Sequence, residues 1–290
     1  MIQTPDAEML FRHEDAKFAE DVIFYFPHPG IYGVGDGASL FYPRDASPYL
    51  YEYAGRKLTG AQIVGAVVCL ELSRVNIVED FSRALARING VVVKAQLEEL
   101  GIPSHEHEIE PGLNFAIARI EDVQTEIIYG GDVQCLWVSK EGSVGITPNQ
   151  CMLNEADMRT LHAKLLAESG GDLNLAWNHS MPVRAQIYRE RINTGHERGY
   201  ALLNGQEGLL DCWGRMSLPT NDIQTMLFFS DGMTRFLGES DDDIKHSVLG
   251  FYKGGGLASL ADKVRARERE QGRNLATCQY GEKTAVALEF

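Results

Sequence analysis

The sequence has few cysteines and no pattern that pairs them. Its five cysteines, an odd number, include no Cys-x-x-Cys pair, which argues against a zinc ribbon and a disulfide framework. We therefore expect reduced, mostly buried thiols, as in cytoplasmic proteins. The first ten residues contain no basic segment followed by an apolar run, so we expect no secretory signal peptide.

Positive charge is also scarce. The 290 residues carry 27 Lys and Arg against 41 Asp and Glu, which gives a net charge of −14. A protein that binds nucleic acid without sequence preference needs a basic face, so we expect no nucleic-acid partner. No apolar run approaches the roughly 20 residues that a membrane helix needs, and we expect no membrane partner either.

No linker rich in Pro, Gly or Ser divides the chain. Because 44% of the residues are hydrophobic, the chain can build one large core. We predict a single domain over residues 1–290, in which residues 172–198 could form a flap or insert. Within that stretch, Pro182 is predicted to lie in the first turn of a helix that continues to Ile192. The arginines of this helix could meet an anionic substrate, but an exposed helix face is the more common role.

The sequence lacks the usual signatures of covalent catalysis. GxSxG, HExxH and the Cys-x5-Arg arrangement of cysteine-dependent phosphatases do not occur. Residues 33–38 match a loose GxGxxA pattern, but a hairpin precedes them where a βαβ unit is required. His105 and His107 lie in an acidic loop without the i, i+4 spacing of a helical zinc site. We favour a solvated loop there over a metal site.

What the sequence does contain is acidic residues at the ends of apolar strands. Residues 31–35 are predicted to form a strand that breaks into a tight Gly35-Asp36-Gly37 turn, and a second apolar strand ends at Asp231-Gly232. Glycine beside an aspartate allows close approach of an ion. Hard oxygen donors on rigid strand ends favour Mg²⁺ or Mn²⁺. Two such ions can hold a bridging hydroxide for attack on phosphorus, and this chemistry needs no protein nucleophile.

Five acidic motifs follow one another along the chain: Glu14-Asp15, Gly35-Asp36-Gly37, Gly131-Asp132, Ser230-Asp231-Gly232 and Glu282-Lys283-Thr284. In order and rough spacing they resemble the motifs of metal-dependent protein phosphatases, the PP2C-type serine/threonine phosphatases. The resemblance spans nearly the whole chain, and its strongest pieces are HEDA, YGVGDG, YGGDVQCLWVSKEG and MLFFSDGMTRFL. It implies an α+β fold, a four-layer α-β-β-α sandwich of two antiparallel sheets flanked by helices.

The resemblance also implies roles for individual residues. Asp36 would bridge two metal ions, the backbone carbonyl of Gly37 would ligate one of them, and Asp231 would be a further ligand. Glu14 would serve the other ion, directly or through water. Asp15 would orient metal-bound water.

Four positions depart from the family pattern or match it only in part. Asp132 resembles the family's Gly-Asp position near the site, where it could touch a third, looser ion. The family usually has a metal-binding Asp before the final strand, but Gly281 stands there. Glu282, one residue later and one methylene longer, could reach the metal, or a water could fill the gap. The basic residue expected before Glu14, which binds substrate phosphate, is out of register, and Arg12 is the nearest candidate.

These residues lead us to expect a cytoplasmic Mn²⁺- or Mg²⁺-dependent hydrolase that acts on phosphoserine or phosphothreonine in proteins. A metal-bridging hydroxide would carry out the reaction, with two ions and room for a third. Two alternatives stay open. Gly281 and the absence of an in-register basic residue before Glu14 motivate the first alternative, a pseudophosphatase that binds a partner or a phosphorylated peptide. A weaker alternative is a metal-dependent hydrolase of small phosphoesters.

Overall fold

A computed structural model describes residues 4–13, 19–39, 49–101, 111–234, 236–238, 240–272 and 282–290. Two five-stranded antiparallel sheets form its centre. The strands of the first sheet, sheet A, lie in the order β1 (Asp6–Arg12), β12 (Lys283–Glu289), β11 (Ile223–Phe229), β8 (Gln134–Ser139) and β9 (Val144–Ile146). The first strand of the chain thus pairs with the last, which brings distant parts of the sequence together.

The strands of the second sheet, sheet B, lie in the order β10 (Gly214–Pro219), β7 (Gln124–Gly130), β6 (Gly112–Ile120), β3 (Ile31–Ala38) and β2 (Val22–Phe26). A small separate hairpin joins β4 (Tyr51–Tyr53) and β5 (Arg56–Leu58). The predicted hairpin of residues 22–35 is present as β2 and β3, joined by a four-residue turn. Its second strand is longer than predicted, because pairing with β6 extends β3 to Ala38. Asp36 therefore lies inside a strand, and the predicted tight turn at this position is wrong.

The two sheets pack face to face through a buried apolar layer that includes Tyr32, Ala116, Phe228 and Val286. Outside sheet B lie α1 (Gly60–Leu72) and a longer helical run composed of α2 (Phe81–Arg87), a π-helical segment (Ile88–Val93) and α3 (Lys94–Glu99). Outside sheet A lie α7 (Asp241–Lys253) and α8 (Gly256–Gly272). The predicted four-layer α-β-β-α sandwich is confirmed.

Two further helices, α4 (Met152–Glu168) and α5 (Leu173–Arg191), pack against each other, and a short helix α6 (Leu209–Cys212) follows. Helix α5 begins at Leu173, where the Asp172 carboxylate accepts hydrogen bonds from the Asn174 and Leu175 amides. Pro182 lies inside the helix, so the prediction that it opens the helix is wrong. The capping carboxylate starts the helix nine residues earlier, and the turns on both sides of Pro182 carry the helix past it.

Among the described helices, none combines the length and the apolar character that a membrane crossing requires.

Candidate metal centre

The candidate site lies at one end of the layer between the two sheets. Side chains alternate along a strand, and Tyr32 and Val34 of β3 point into this layer. Asp36, two residues further, therefore points into its end. Asn114 is the register partner of Asp36 on β6 and faces the same way.

Asp231 and Asp132 reach this end from the other direction. Asp231 follows β11 of sheet A, and Asp132 lies in the short connection from β7 of sheet B to β8 of sheet A. The Asp36 and Asp231 carboxyl groups lie close enough to interact, and Asp231 raises the pKa of Asp36. Asp132 lies close enough to both for their charges to act on one another. The structure thus brings together three of the carboxylates that the sequence predicted would converge.

Asp36 and Asp132 are desolvated, and the charge of Asp231 repels both of them. Burial raises the pKa of Asp36 well above its ordinary value of 3.8, and the charges of Asp21, Asp231 and Asp132 raise it further. Burial likewise raises the pKa of Asp132, followed by the charges of Asp231 and Glu155. Asp231 is exposed, whereas Asp36 and Asp132 keep only partial contact with solvent. A recess that opens on one side, with Asp231 at its rim, accounts for both the contact and the desolvation.

A fourth carboxylate, Asp21, was not predicted from the sequence. It immediately precedes β2, and burial raises its pKa well above the ordinary value. The charges of Glu282 and Asp231 add to this effect, whereas the nearby Thr284 and Ser230 hydroxyls oppose it. Asp21 therefore belongs to the same recess.

The predicted residues Glu14 and Asp15 lie outside the described residues. A second Glu-Asp pair, Glu20-Asp21, stands six residues downstream and directly before the strand Val22–Phe26. The rule that selected Asp36 and Asp231, an acidic residue at the end of an apolar strand, would also have selected Asp21. That signal was available in the sequence.

Glu20, the residue before Asp21, contacts the start of α1. The Thr59 hydroxyl, at the N-terminus of α1, donates a hydrogen bond to the Glu20 carboxylate. Burial raises the pKa of Glu20, and hydrogen bonds from Ser39 and Thr59 oppose the rise. Gly37 lets the two chains approach, because a Cβ atom at this position would lie 2.4 Å from the Glu20 Cβ.

Glu282 supports the main chain that carries Asp21. Its two carboxylate oxygens accept hydrogen bonds from the Glu20 amide at 2.9 and 3.0 Å, and one of them accepts the Asp21 amide at 2.7 Å. Each carboxylate oxygen has more than one acceptor site, so metal ligation by Glu282 stays a prediction. Gly281 lies outside the described residues.

Arg12 is not brought to the carboxylates. It is the register partner of Lys283 at the edge of sheet A, and its Nη1 forms an ion pair with Asp262 Oδ1 of α8 at 2.6 Å. Its guanidinium therefore lies on the outer, helix-covered side of the sheet. His105 and His107 lie outside the described residues.

The donor atoms of the recess suit a hard divalent cation. Within the part of the chain that the structure describes, no three His, Cys, Asp or Glu side chains form a ready-made metal-binding group. However, Asp21 Oδ2, Asp132 Oδ1 and Asn114 Oδ1 are buried without a hydrogen-bond partner. Unpartnered buried oxygens are costly, and Mg²⁺ and related cations take such oxygens as ligands. A cation bound among these carboxylates would replace their mutual repulsion with attraction.

Solved structures with the same architecture are serine/threonine phosphatases. Stp1 from Staphylococcus aureus is 13% identical with a TM-score of 0.56, over 99% of this chain and 96% of that chain. PstP/Ppp from Mycobacterium tuberculosis is 14% identical with a TM-score of 0.53, over 98% and 97%. The catalytic domain of PstP in complex with two manganese ions is 14% identical with a TM-score of 0.52, over 98% and 96%.

No family model matches the sequence, and no curated protein sequence matches it significantly. At these low identities, the similarity to solved structures establishes the fold. The chain therefore has the fold of the PP2C-type serine/threonine phosphatases, and the resemblance seen in the sequence is confirmed at that level.

Proposed function

We propose that this protein is a Mn²⁺- or Mg²⁺-dependent phosphatase that hydrolyses phosphoserine and phosphothreonine in proteins. One observation supports this proposal above all. Carboxylates from four separate segments, at Asp21, Asp36, Asp132 and Asp231, meet at one end of a sandwich whose fold is that of serine/threonine phosphatases. The fold supports the class of reaction, and the recess supports the use of cations.

Asp36 and Asp231, together with the Gly37 carbonyl, are the residues that we expect to hold two cations, with Asp132 available to a third. When bound there, such cations lower the pKa of a water molecule and neutralise charge on phosphoryl oxygens. Without them, the recess would repel a phosphate group, because its carboxylates and the net charge of −14 are both negative.

We assign to Asp21 the part that the sequence suggested for Asp15. Its Oδ2 atom is buried and unpartnered, and its pKa is raised by burial and by neighbouring carboxylates. An unpartnered carboxylate oxygen can accept a hydrogen bond from a water molecule. Asp21 is therefore placed to orient the attacking water at Oδ2.

The test is phosphate release from a phosphoserine or phosphothreonine peptide, measured with Mn²⁺, with Mg²⁺ and after chelation. We expect release only with the cation, and its loss in Asp36→Asn. Asp211→Asn is the matched control, because Asp211 is exposed on α6. A wild-type protein that releases no phosphate and behaves like Asp36→Asn would refute the proposal. A small aryl phosphate in parallel distinguishes a protein phosphatase from a hydrolase of small phosphoesters.

A second candidate is a pseudophosphatase that binds a partner or a phosphopeptide. The backbone contacts of Glu282 favour it, since they occupy the carboxylate that would replace the ligand missing at Gly281. Calorimetry separates the two candidates. Tight binding of two Mn²⁺ ions favours the enzyme, whereas phosphopeptide binding without Mn²⁺ binding favours the pseudophosphatase.

We further propose that residues 1–290 form one domain, with residues 172–198 as a flap or insert. The fold supports a phosphoprotein partner, and the strongly negative charge argues against nucleic acid. The four described cysteines are free thiols, which supports a reducing, cytoplasmic location.

A further inference from the structure

A buried ion pair joins α8 to the first residue of β12. Lys283 Nζ donates a hydrogen bond to Glu268 Oε2 at 2.9 Å, and both side chains are 1% exposed. Arg265 Nη1 approaches the same oxygen at 3.1 Å. Removing such charges from water is costly, and apolar residues of similar volume often give equal or greater stability. Stability alone therefore does not explain why a charged group is buried here.

The pair fixes the chain directly beside the candidate metal centre. The side chains of Ala285 and Ala287 in β12 pack toward the helices outside sheet A, and Lys283 has the same orientation. Glu282 precedes it by one residue, so its side chain faces the opposite way, toward the end of the layer between the sheets. An anchor on one side of the chain thus determines where a carboxylate on the other side lies.

Glu282 links the start of β12 to the main chain of residues 20–21. Its carboxylate holds the backbone amides of Glu20 and Asp21 at 2.7–3.0 Å. A continuous series of contacts therefore runs from Glu268 through Lys283 and Glu282 to Asp21. It crosses three elements, α8, β12 and the start of β2.

We propose that Glu268 and Lys283 are positioning residues: they anchor the start of β12, hold the Glu282 carboxylate on the main chain of residues 20–21, and so direct Asp21 into the metal centre. The expected effect on catalysis rests on the proposed function. The expected effect on the main chain of residues 20–21 does not, and it can be measured in the metal-free protein.

The first measurement is hydrogen exchange of the Glu20 and Asp21 amides in metal-free wild type and Lys283→Met. Because the Glu282 bonds to these amides are charge-assisted, loosening them should speed exchange about tenfold or more relative to β6 core amides, which report global opening. Lys245→Met is the matched control. It also removes a lysine–carboxylate pair, Lys245 with Asp242 at 2.6 Å, but on the surface of α7. In Lys245→Met, exchange of the Glu20 and Asp21 amides should be the same as in wild type.

The second measurement is Mn²⁺-dependent hydrolysis of the phosphopeptide. Mutation of residues that orient a metal site typically costs about 10–100-fold in activity, and we expect such a fall in kcat for Lys283→Met. The KM should change little, because neither residue faces the substrate. A loss of stability alone would lower the apparent kcat only by reducing the folded fraction, so both constants are measured below the melting transition of each variant. Lys245→Met should retain wild-type kcat.

Wild-type exchange at both amides in a folded Lys283→Met, with unchanged kcat, would overturn the inference. If Lys283→Met does not fold, Glu268→Gln replaces it, because the glutamine amide keeps the size of the side chain while removing its charge. A wild-type protein that releases no phosphate would instead refute the proposed function, and the exchange result would still decide whether the anchor exists.

Discussion

Burial and neighbouring negative charges disfavour the ionised form of individual carboxylates in the recess. Asp21, Asp36 and Asp132 are each desolvated by burial, and each lies close to other negative groups. The energy of the ionised carboxylates is therefore higher in the folded protein than in the unfolded chain. A cation at the same place reverses the sign of the interaction.

The first prediction concerns the pH dependence of stability without metal. The pKa of each of these three aspartates is raised above 3.8 by folding, so the folded state binds protons more tightly than the unfolded state. Their contribution to stability is fully present below pH 3.8 and is lost as pH rises through the raised folded pKa. Urea unfolding of chelator-treated protein should show this loss.

Asp36→Asn is the comparison for this measurement, because it removes one of the raised pKa values and part of the repulsion. Its free energy of unfolding should fall less steeply over the same pH range. Asp211→Asn should follow the wild-type curve. Equal slopes for wild type and Asp36→Asn would contradict the description of the recess.

At the residue scale, the sequence predicted part of the site. Asp36 and Asp231 were identified because each lies beside a glycine at the end of an apolar strand, and Asp132 was identified through the resemblance to the family's Gly-Asp position. Asp21 was not predicted because the earlier pair Glu14-Asp15 also matches the first acidic motif of the family. The Glu282 contacts could not be predicted, since they depend on which backbone amides the fold places opposite the carboxylate.

Among the elements, β3 shows how backbone proximity constrains the sequence. Its predicted turn is a continuous strand, and Gly37 is needed there because the chain at Glu20 passes very close. A Cβ atom at position 37 would lie 2.6 Å from the Glu20 carbonyl oxygen and 2.4 Å from its Cβ. Neither neighbour is the flexible end of a side chain.

The second prediction is that Gly37→Ala destabilises the protein by about 1–3 kcal/mol, the usual cost of overpacking. It should also lower Mn²⁺-dependent phosphate release, because the displaced Glu20 carries Asp21 with it. Gly250→Ala is the control. Gly250 lies inside α7 with nothing within 4 Å of an added Cβ, and alanine there should stabilise the helix by roughly 0.5–1 kcal/mol. Chemical denaturation measures the free energy of unfolding of both variants. Equal effects of the two substitutions would contradict the packing argument.

Helix α5 illustrates the limits of local sequence signals. Pro182 is a strong indicator of a first turn, but Asp172 is an equally good N-cap ten residues earlier, and the sequence alone gives no reason to prefer it. Packing against α4 supports the turns on both sides of the proline. Such a choice depends on tertiary contacts that local propensity does not contain.

Over the whole molecule, the order of the acidic motifs was the most informative feature. In an antiparallel sandwich, strand ends that are far apart in sequence meet at one end, as β1 and β12 do. The motif order therefore indicated the fold even though no family model matches. The same topology makes cation binding at the site depend on folding, because its carboxylates converge only when both sheets have formed.

The third prediction follows from this dependence. If Mn²⁺ binds the folded protein and not the unfolded chain, it should raise the melting temperature, and the gain should grow with the logarithm of its concentration above the dissociation constant. At one hundred times the dissociation constant, the gain is about 2.7 kcal/mol for one site. Thermal unfolding at increasing Mn²⁺ measures it, with Asp36→Asn expected to show little rise and Asp211→Asn a wild-type rise. A similar rise in all three proteins would place the bound ion elsewhere.

Anomalous diffraction from crystals soaked in Mn²⁺ tests the central claim most directly. The account predicts anomalous density in the recess, within ligand distance of the Asp36 and Asp231 carboxylates, and its absence in Asp36→Asn crystals soaked in the same way. Crystals with saturating Mn²⁺ but no density at this end of the sandwich, or with these carboxylates apart, would contradict it.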